Sequence, residues 1–191
     1  MACASLYATS GHTVGTFPGR AYTSRVQVEP ALRDFLAKTP FFGGLVASPV
    51  MDRLIEMLRP RSVKRGEMII REGDTATSMY IVRSGTMHAY RHCEDGGIVR
   101  MLLFRPGDFI GVTTLIEMEP RPFSIVAETD GELLELDSRD LYKLYKQDLK
   151  AYVLVLQNIN RELVRRLRKA GERIARLSQM AGLEKADPEH H

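Results

Sequence analysis

Between residues 61 and 136, short β-prone runs are punctuated by glycine. It sits in the tetrapeptides KRGE, REGD, RSGT, EDGG and RPGD. The segments that separate these turns are short and β-prone, whereas a globular helix needs a run of about ten residues or more. Strands are therefore predicted at MII (68–70), MYIV (79–82), TMHAYR (86–91), IVRMLLF (98–104), FSIVAE (123–128) and ELLEL (132–136). Asp95-Gly96 gives a hairpin turn between two of them. Many short strands joined by Gly-centred turns imply a β-sandwich or small barrel.

The flanks change period. PALRDFLAKTPFF (30–42) opens on proline and repeats Leu32, Phe35 and Leu36 at helical spacing, which predicts a short amphipathic helix ending near Pro40. In SPVMDRLIEMLRP, Ser48 is placed as N-cap and Pro49 at the first helical position. Met51, Leu54, Ile55 and Leu58 then share one face before Pro60 stops the helix. After Leu136, Asp137 or Ser138 caps RDLYKLYKQ, and a long helix runs from about 148 to 180. Its apolar positions 149, 152, 156, 159, 163, 167, 170, 174, 177 and 181 form a heptad-like seam with one stutter at 159, 163 and 167. A helix of about 45 Å reaches past what one small domain covers, so part of this seam is expected to pair with a second copy. The alternative is a single helix lying on its own sandwich. Arg161, Arg165, Arg166, Arg168, Lys169, Arg173 and Arg176, interspersed with Glu162 and Glu172, favour a solvated coiled coil.

Length and charge narrow the function classes. At 191 residues the chain suits one core with appendages, and 27 Lys+Arg against 24 Asp+Glu is too even to imply nucleic acid or membrane by itself. Cys3 and Cys93 are isolated, which excludes a disulfide framework and fits a reducing cytoplasm. No apolar run approaches the roughly 18 residues of a membrane span. The start has no acidic residue before Glu29 and no secretory apolar core, a composition shared by organelle transit peptides and disordered tails, and the presence of only two arginines favours the disordered tail. His88, His92 and Glu94 in HAYRHCE are not joined by a histidine from the later strands, so no metal set is complete. No nucleophile and base pairing is visible, and no enzyme is expected.

The order of these motifs resembles the cyclic-nucleotide-binding domain of the catabolite-activator and fumarate-nitrate-regulator superfamily. The matching residues are Lys64-Arg65-Gly66-Glu67, Arg71-Glu72-Gly73-Asp74, Ser78-Met79-Tyr80-Ile81-Val82, Ser84-Gly85 and Pro106-Gly107-Asp108-Phe109-Ile110-Gly111. The resemblance implies an α+β, mainly β fold: a jelly-roll sandwich with short N-terminal helices and a long C-terminal dimerisation helix. It divides the chain into a tail (1–28), a β-roll domain (29–147), a coiled-coil helix (148–181) and a second tail (182–191). The helix-turn-helix that follows the long helix in most relatives has no room after Ala181, so specific DNA binding is not expected.

The same resemblance locates a site in FIGVTTLIEMEPRPFSI (109–125). In members that bind cyclic AMP or cyclic GMP, the glycine matching Gly111 precedes a glutamate that accepts from the ribose; here Val112 stands there. Arg121 matches the arginine that pairs with the cyclic phosphate. The next position supplies a phosphate donor in the family but is Pro122 here, which has none. Thr113, Thr114 and Ser124 add hydroxyls nearby, and Phe123 follows the proline. Ala170 and Gly171 match the two hydroxyl residues that contact the purine in the catabolite activator. The expectation is therefore a cytoplasmic sensor that holds an anionic effector, a cyclic nucleotide or related phosphate-bearing ligand, non-canonically at Arg121. The alternative is a degenerate domain, its pocket filled by side chains such as Phe123 and Leu115, that serves dimerisation or docking to a protein partner. Haem and iron–sulfur cofactors are not indicated, because the cassette carries neither cysteine nor histidine.

Overall fold

The structure is a computed structural model that describes residues 28–45, 49–75, 77–93, 96–112 and 119–182. The assignments at Ser48, Asp95, Glu94, Thr113, Thr114 and Leu115, and those for the two tails up to residue 27 and from 183, lie outside the described residues.

Helix α1 spans Pro30–Ala37 and α2 spans Pro49–Met57. Eight strands follow: β1 Arg59–Val63, β2 Met68–Ile70, β3 Ser78–Ser84, β4 Met87–His92, β5 Ile98–Phe104, β6 Phe109–Ile110, β7 Ser124–Ala127 and β8 Gly131–Asp137. Helices α3 (Ser138–Gln147) and α4 (Leu149–Met180) close the described chain. The strands form two four-stranded sheets in the orders β1-β8-β3-β6 and β2-β7-β4-β5, and every pairing is antiparallel. This is a sandwich, as the glycine-punctuated strands predict, in the jelly-roll form that the family resemblance implies.

The first sheet is the middle layer. On β3, Met79 and Ile81 join the cluster that packs α1, α2, α3 and α4, while Tyr80 and Val82 join a second cluster inside the roll. On β8, Leu134 and Leu136 face the helices and Leu133 faces the roll. Burial on both faces is why MYIV is an unbroken apolar run and why Leu133 and Leu134 stand side by side in ELLEL. Edge strand β5 differs: Ile98, Val99, Met101, Leu102 and Leu103 are all exposed.

Two elements depart from the sequence reading. The first helix ends at Ala37, shortly before Pro40, and Pro40–Phe42 adds a separate 3-10 turn that the reading did not contain. Proline disfavours helical backbone in the residue before it, and Thr39 is accordingly extended, with φ −82° and ψ 146°. Pro60 does more than stop α2, since it lies within β1. That strand is at the end of its sheet, where a missing amide hydrogen leaves no ladder bond unmade.

Asp137 is the N-cap of α3, accepting from the Arg139 amide at 2.8 Å and from the Arg139 guanidinium at 2.9 and 3.0 Å. Burial pushes its carboxyl up, but the Arg139 side-chain and amide hydrogen bonds outweigh burial and hold it below the ordinary carboxylate value. Because the folded value is the lower one, its stabilisation is complete above the unfolded value of about 4 and is lost as pH falls through the folded value. Asp137→Ala is expected to cost about 1 kcal/mol at neutral pH, with a smaller penalty in acid, read from melting temperatures across pH.

Asp148 caps α4 by accepting from the Ala151 amide at 3.0 Å. The first half of α4 lies on the domain itself, with Ala151, Val155, Asn158, Ile159 and Glu162 buried. Asn158 fixes it there, donating from Nδ2 to the Phe41 carbonyl at 3.0 Å and the Gly43 carbonyl at 2.6 Å. The second half is bare in the single chain: Leu167 is 73% exposed, Ile174 63% and Met180 84%. Among the described residues, no helix is long and apolar enough to cross a membrane.

Candidate functional site

Three chain segments meet at Arg121. Strand β6 ends at Ile110, and Gly111 turns the chain with φ +75° ahead of the buried Val112. The loop after β2 is pinned to the arginine by reciprocal backbone bonds: the Arg121 amide donates to Asp74 at 2.9 Å, and the Gly73 amide donates to Arg121 at 2.9 Å. The side chain then runs inward and is only 3% exposed.

Its guanidinium reaches backbone oxygens. Nη1 donates to the Gly111 carbonyl at 2.8 Å, and Nη2 donates to the Ser78 carbonyl at the start of β3. Gly111 is what allows this approach, since a Cβ there would stand 2.3 Å from Arg121 Nη1 and 3.1 Å from its Cζ. The residue type at 111 is thus set by the arginine as well as by the positive φ. Sequence reading found Gly111 and Arg121 but not Ser78, because a backbone acceptor leaves no side-chain signal.

The other assigned residues are placed differently. Val112 is buried in the helix-side cluster with Phe109, Val155 and Ile159, where an ionised carboxylate would be costly. Ser124 is buried, and its Oγ accepts from the Glu72 amide at 3.0 Å, so this hydroxyl braces the loop after β2. Phe123 packs against the cluster inside the roll, and Pro122 is exposed. Ala170 and Gly171 are exposed on α4, and a side chain at Gly171 would meet nothing of this chain within 4 Å. The structure brings Gly111 and Arg121 into contact and leaves the α4 pair open. Among the described residues, no group of three or more His, Cys, Asp or Glu is arranged to hold a metal ion.

A second junction ties this cassette to α4. Arg166 donates from Nη2 to the Phe109 carbonyl at 2.7 Å, two residues before Gly111. Its Cζ lies 4.9 Å from the Phe109 ring centre and 5.5 Å from that of Phe104. Glu162, itself buried, accepts from Arg166 Nε at 2.8 Å and pairs with Arg165. Sequence reading counted Arg166 in a basic stripe of solvated charge. Its neighbours Phe104 and Phe109 are more than fifty positions away, and helical spacing carries no trace of them.

Comparison with known proteins supports the fold. A family model described as the cyclic nucleotide-binding domain matches residues 60–148. The cyclic AMP receptor protein of Thermus thermophilus is 32% identical over 132 residues, which are 69% of this chain and 59% of that protein. The chain therefore spans less than two thirds of that relative's length. The crystal structure of the Thermus thermophilus catabolite activator protein superposes with a TM-score of 0.64 at 31% identity, covering 73% of this chain and 63% of the other. A cyclic nucleotide-binding domain from Methylobacillus flagellatus reaches a TM-score of 0.74 over 87% of this chain and 90% of its own, and at 18% identity it supports the fold alone. With its two antiparallel sheets and its long terminal helix, this chain carries a cyclic nucleotide-binding domain over residues 60–148 and has relatives of the catabolite-activator kind.

Proposed function

We propose that this chain is a regulatory module that binds a phosphate-bearing or other anionic effector at Arg121, in a manner unlike ordinary cyclic-nucleotide recognition, and signals through pairing of α4 with a second copy. The observation that carries the reading is the pose of Arg121. Its fork is already oriented between β3 and the cassette, on carbonyl oxygens that an anion would replace with full negative charge. Release of the Gly111 carbonyl would loosen the chain two residues from Phe109, whose own carbonyl is bound by Arg166 of α4. An anion at Arg121 and the position of α4 are linked by that short path.

Val112 and Pro122 stand where the family's cyclic-AMP and cyclic-GMP binders are expected to carry an acceptor and a donor. A ribose hydroxyl meets no acceptor at Val112, and a phosphate gains no amide hydrogen from Pro122. The second reading is a ligand-free docking and dimerisation module, favoured by the packing of Phe123 into the roll. Calorimetric titration with cyclic AMP, cyclic GMP and cyclic dinucleotides decides between them. The effector reading expects saturable heat and a raised melting temperature with at least one of these, both lost in Arg121→Ala. No heat at millimolar ligand, with unchanged melting, overturns it for those ligands.

Signalling through α4 makes its own demand. The exposed Leu167 and Ile174 lie on the seam, so Leu167→Glu/Ile174→Glu is expected to convert a dimer to a monomer in sedimentation experiments. A chain that sediments as a monomer before substitution would sink this half of the reading.

A further inference from the structure

The sheet β2-β7-β4-β5 has a second face, turned away from the interior cluster, and it carries a cleft of about 360 Å³. That volume lies at the lower end of those that hold small ligands. Val126 forms part of an apolar floor, Tyr90 and His88 of β4 form one wall, and Arg65, Arg100 and Glu128 bring charge to it. Arg121 is not among its lining residues.

One buried polar atom of this cleft lacks a hydrogen-bond partner, and the charges beside it are only loosely paired. His88 Nδ1 is buried without a hydrogen-bond partner, and the nearest carboxylate oxygen, Glu128 Oε2, is 3.7 Å away. Arg100 Nη1 stands 3.7 Å from the other oxygen of Glu128, beyond hydrogen-bond reach. Orphaned buried polar atoms mark places where a bound group completes the bonding. Two arginines against one glutamate also leave an excess positive charge on the lining. The floor is the outer face of a sheet, and the Tyr90 ring stands in edge contact with His92, with centroids 5.6 Å apart, so aromatic surface is presented at the cleft.

We infer that this outer cleft is a second ligand site, and that it takes a planar aromatic anion. The ring lies on the floor beside Tyr90, and the anionic end is drawn to Arg65 and Arg100. The apolar floor selects a ring over a bare ion, the small volume and the Tyr90 ring select a planar aromatic over a bulky group, and the charge excess selects an anion.

Benzoate is the probe, with acetate supplying the charge alone and benzyl alcohol the ring alone. In heteronuclear NMR titrations, benzoate is expected to give saturable shifts at His88, Tyr90 and residues 126–128, and the two controls are not. Arg65→Glu/Arg100→Glu is expected to weaken benzoate at least about tenfold, a change of about 1.4 kcal/mol. Both side chains are exposed, so the melting temperature should hold. Tyr90→Leu supplies a second variant, expected to weaken benzoate with the charges intact. Arg121→Ala should leave the titration unchanged, which keeps this test separate from that of the effector site. Shifts that do not saturate, that acetate or benzyl alcohol reproduces, or that survive the double charge reversal overturn the inference.

Discussion

Gly111→Ala is expected to lower the stability of the domain by about 3 kcal/mol, and to lose most of that effect once Arg121 is removed. Two costs combine in the wild-type background. An L-residue at φ +75° costs about 1 to 2 kcal/mol. The new Cβ would also stand 2.3 Å from Arg121 Nη1, which forces a buried guanidinium off the Gly111 and Ser78 carbonyls. Hydrogen bonds to a charged group are worth about 1.5 to 3 kcal/mol each, so displacement is the larger part. In an Arg121→Ala background only the backbone cost is left. Urea denaturation of the four proteins gives the cycle, with an expected coupling of about 2 kcal/mol. A Gly111→Ala penalty that stays whole without Arg121 would show that the turn, and not the contact, sets the residue at 111.

The same pair shows what a sequence can and cannot disclose about such a site. Glycine spacing disclosed the roll because each turn needs backbone freedom, and Gly66, Gly73, Gly85, Gly96 and Gly107 all have positive φ. Helical and strand periods disclosed the core, because Leu134 and Leu136 must point opposite to Leu133. Strand β1 was hidden because RPRSV has one apolar residue and a proline, and what places it is pairing with β8, seventy residues away. The site was legible as a glycine and an arginine, but their mutual contact was not. Sequence says that Arg121 carries a charge; it does not say that the charge meets two backbone carbonyls, since every residue has one. Ser124 shows the reverse case. A hydroxyl that looks available in sequence is taken by the Glu72 amide.

Phe109→Ala is expected to cost more than any surface substitution, about 3 to 5 kcal/mol, because the ring is fully buried and its removal leaves a cavity at the meeting point of two clusters of contacts. On one side it packs edge-on against Phe41, with centroids 6.0 Å apart, which ties the cassette to the N-terminal 3-10 turn. On the other it lies under the Arg166 guanidinium, which ties the cassette to α4. The two contributions separate by substitution. Phe109→Leu keeps most of the buried apolar volume and loses the aromatic face, so it should cost about 1.5 kcal/mol or less from packing together with a cation–π share of about 1 kcal/mol. Arg166→Met removes the guanidinium and leaves the ring, exposing the buried Glu162 carboxylate to a loss of its 2.8 Å partner. Breaking a buried pair on one side is costly, so this variant should be destabilised by about 2 kcal/mol, while Glu162→Gln/Arg166→Met should recover part of it. Hydrogen exchange then tests what the joint does. If Phe109 and Arg166 carry the position of the cassette to α4, amides near 159–166 should exchange faster in both Phe109→Leu and Arg166→Met, beyond what the global loss of stability explains. Exchange that rises only in step with global stability would make the joint a packing contact, and the path from Arg121 to α4 would then have to run elsewhere.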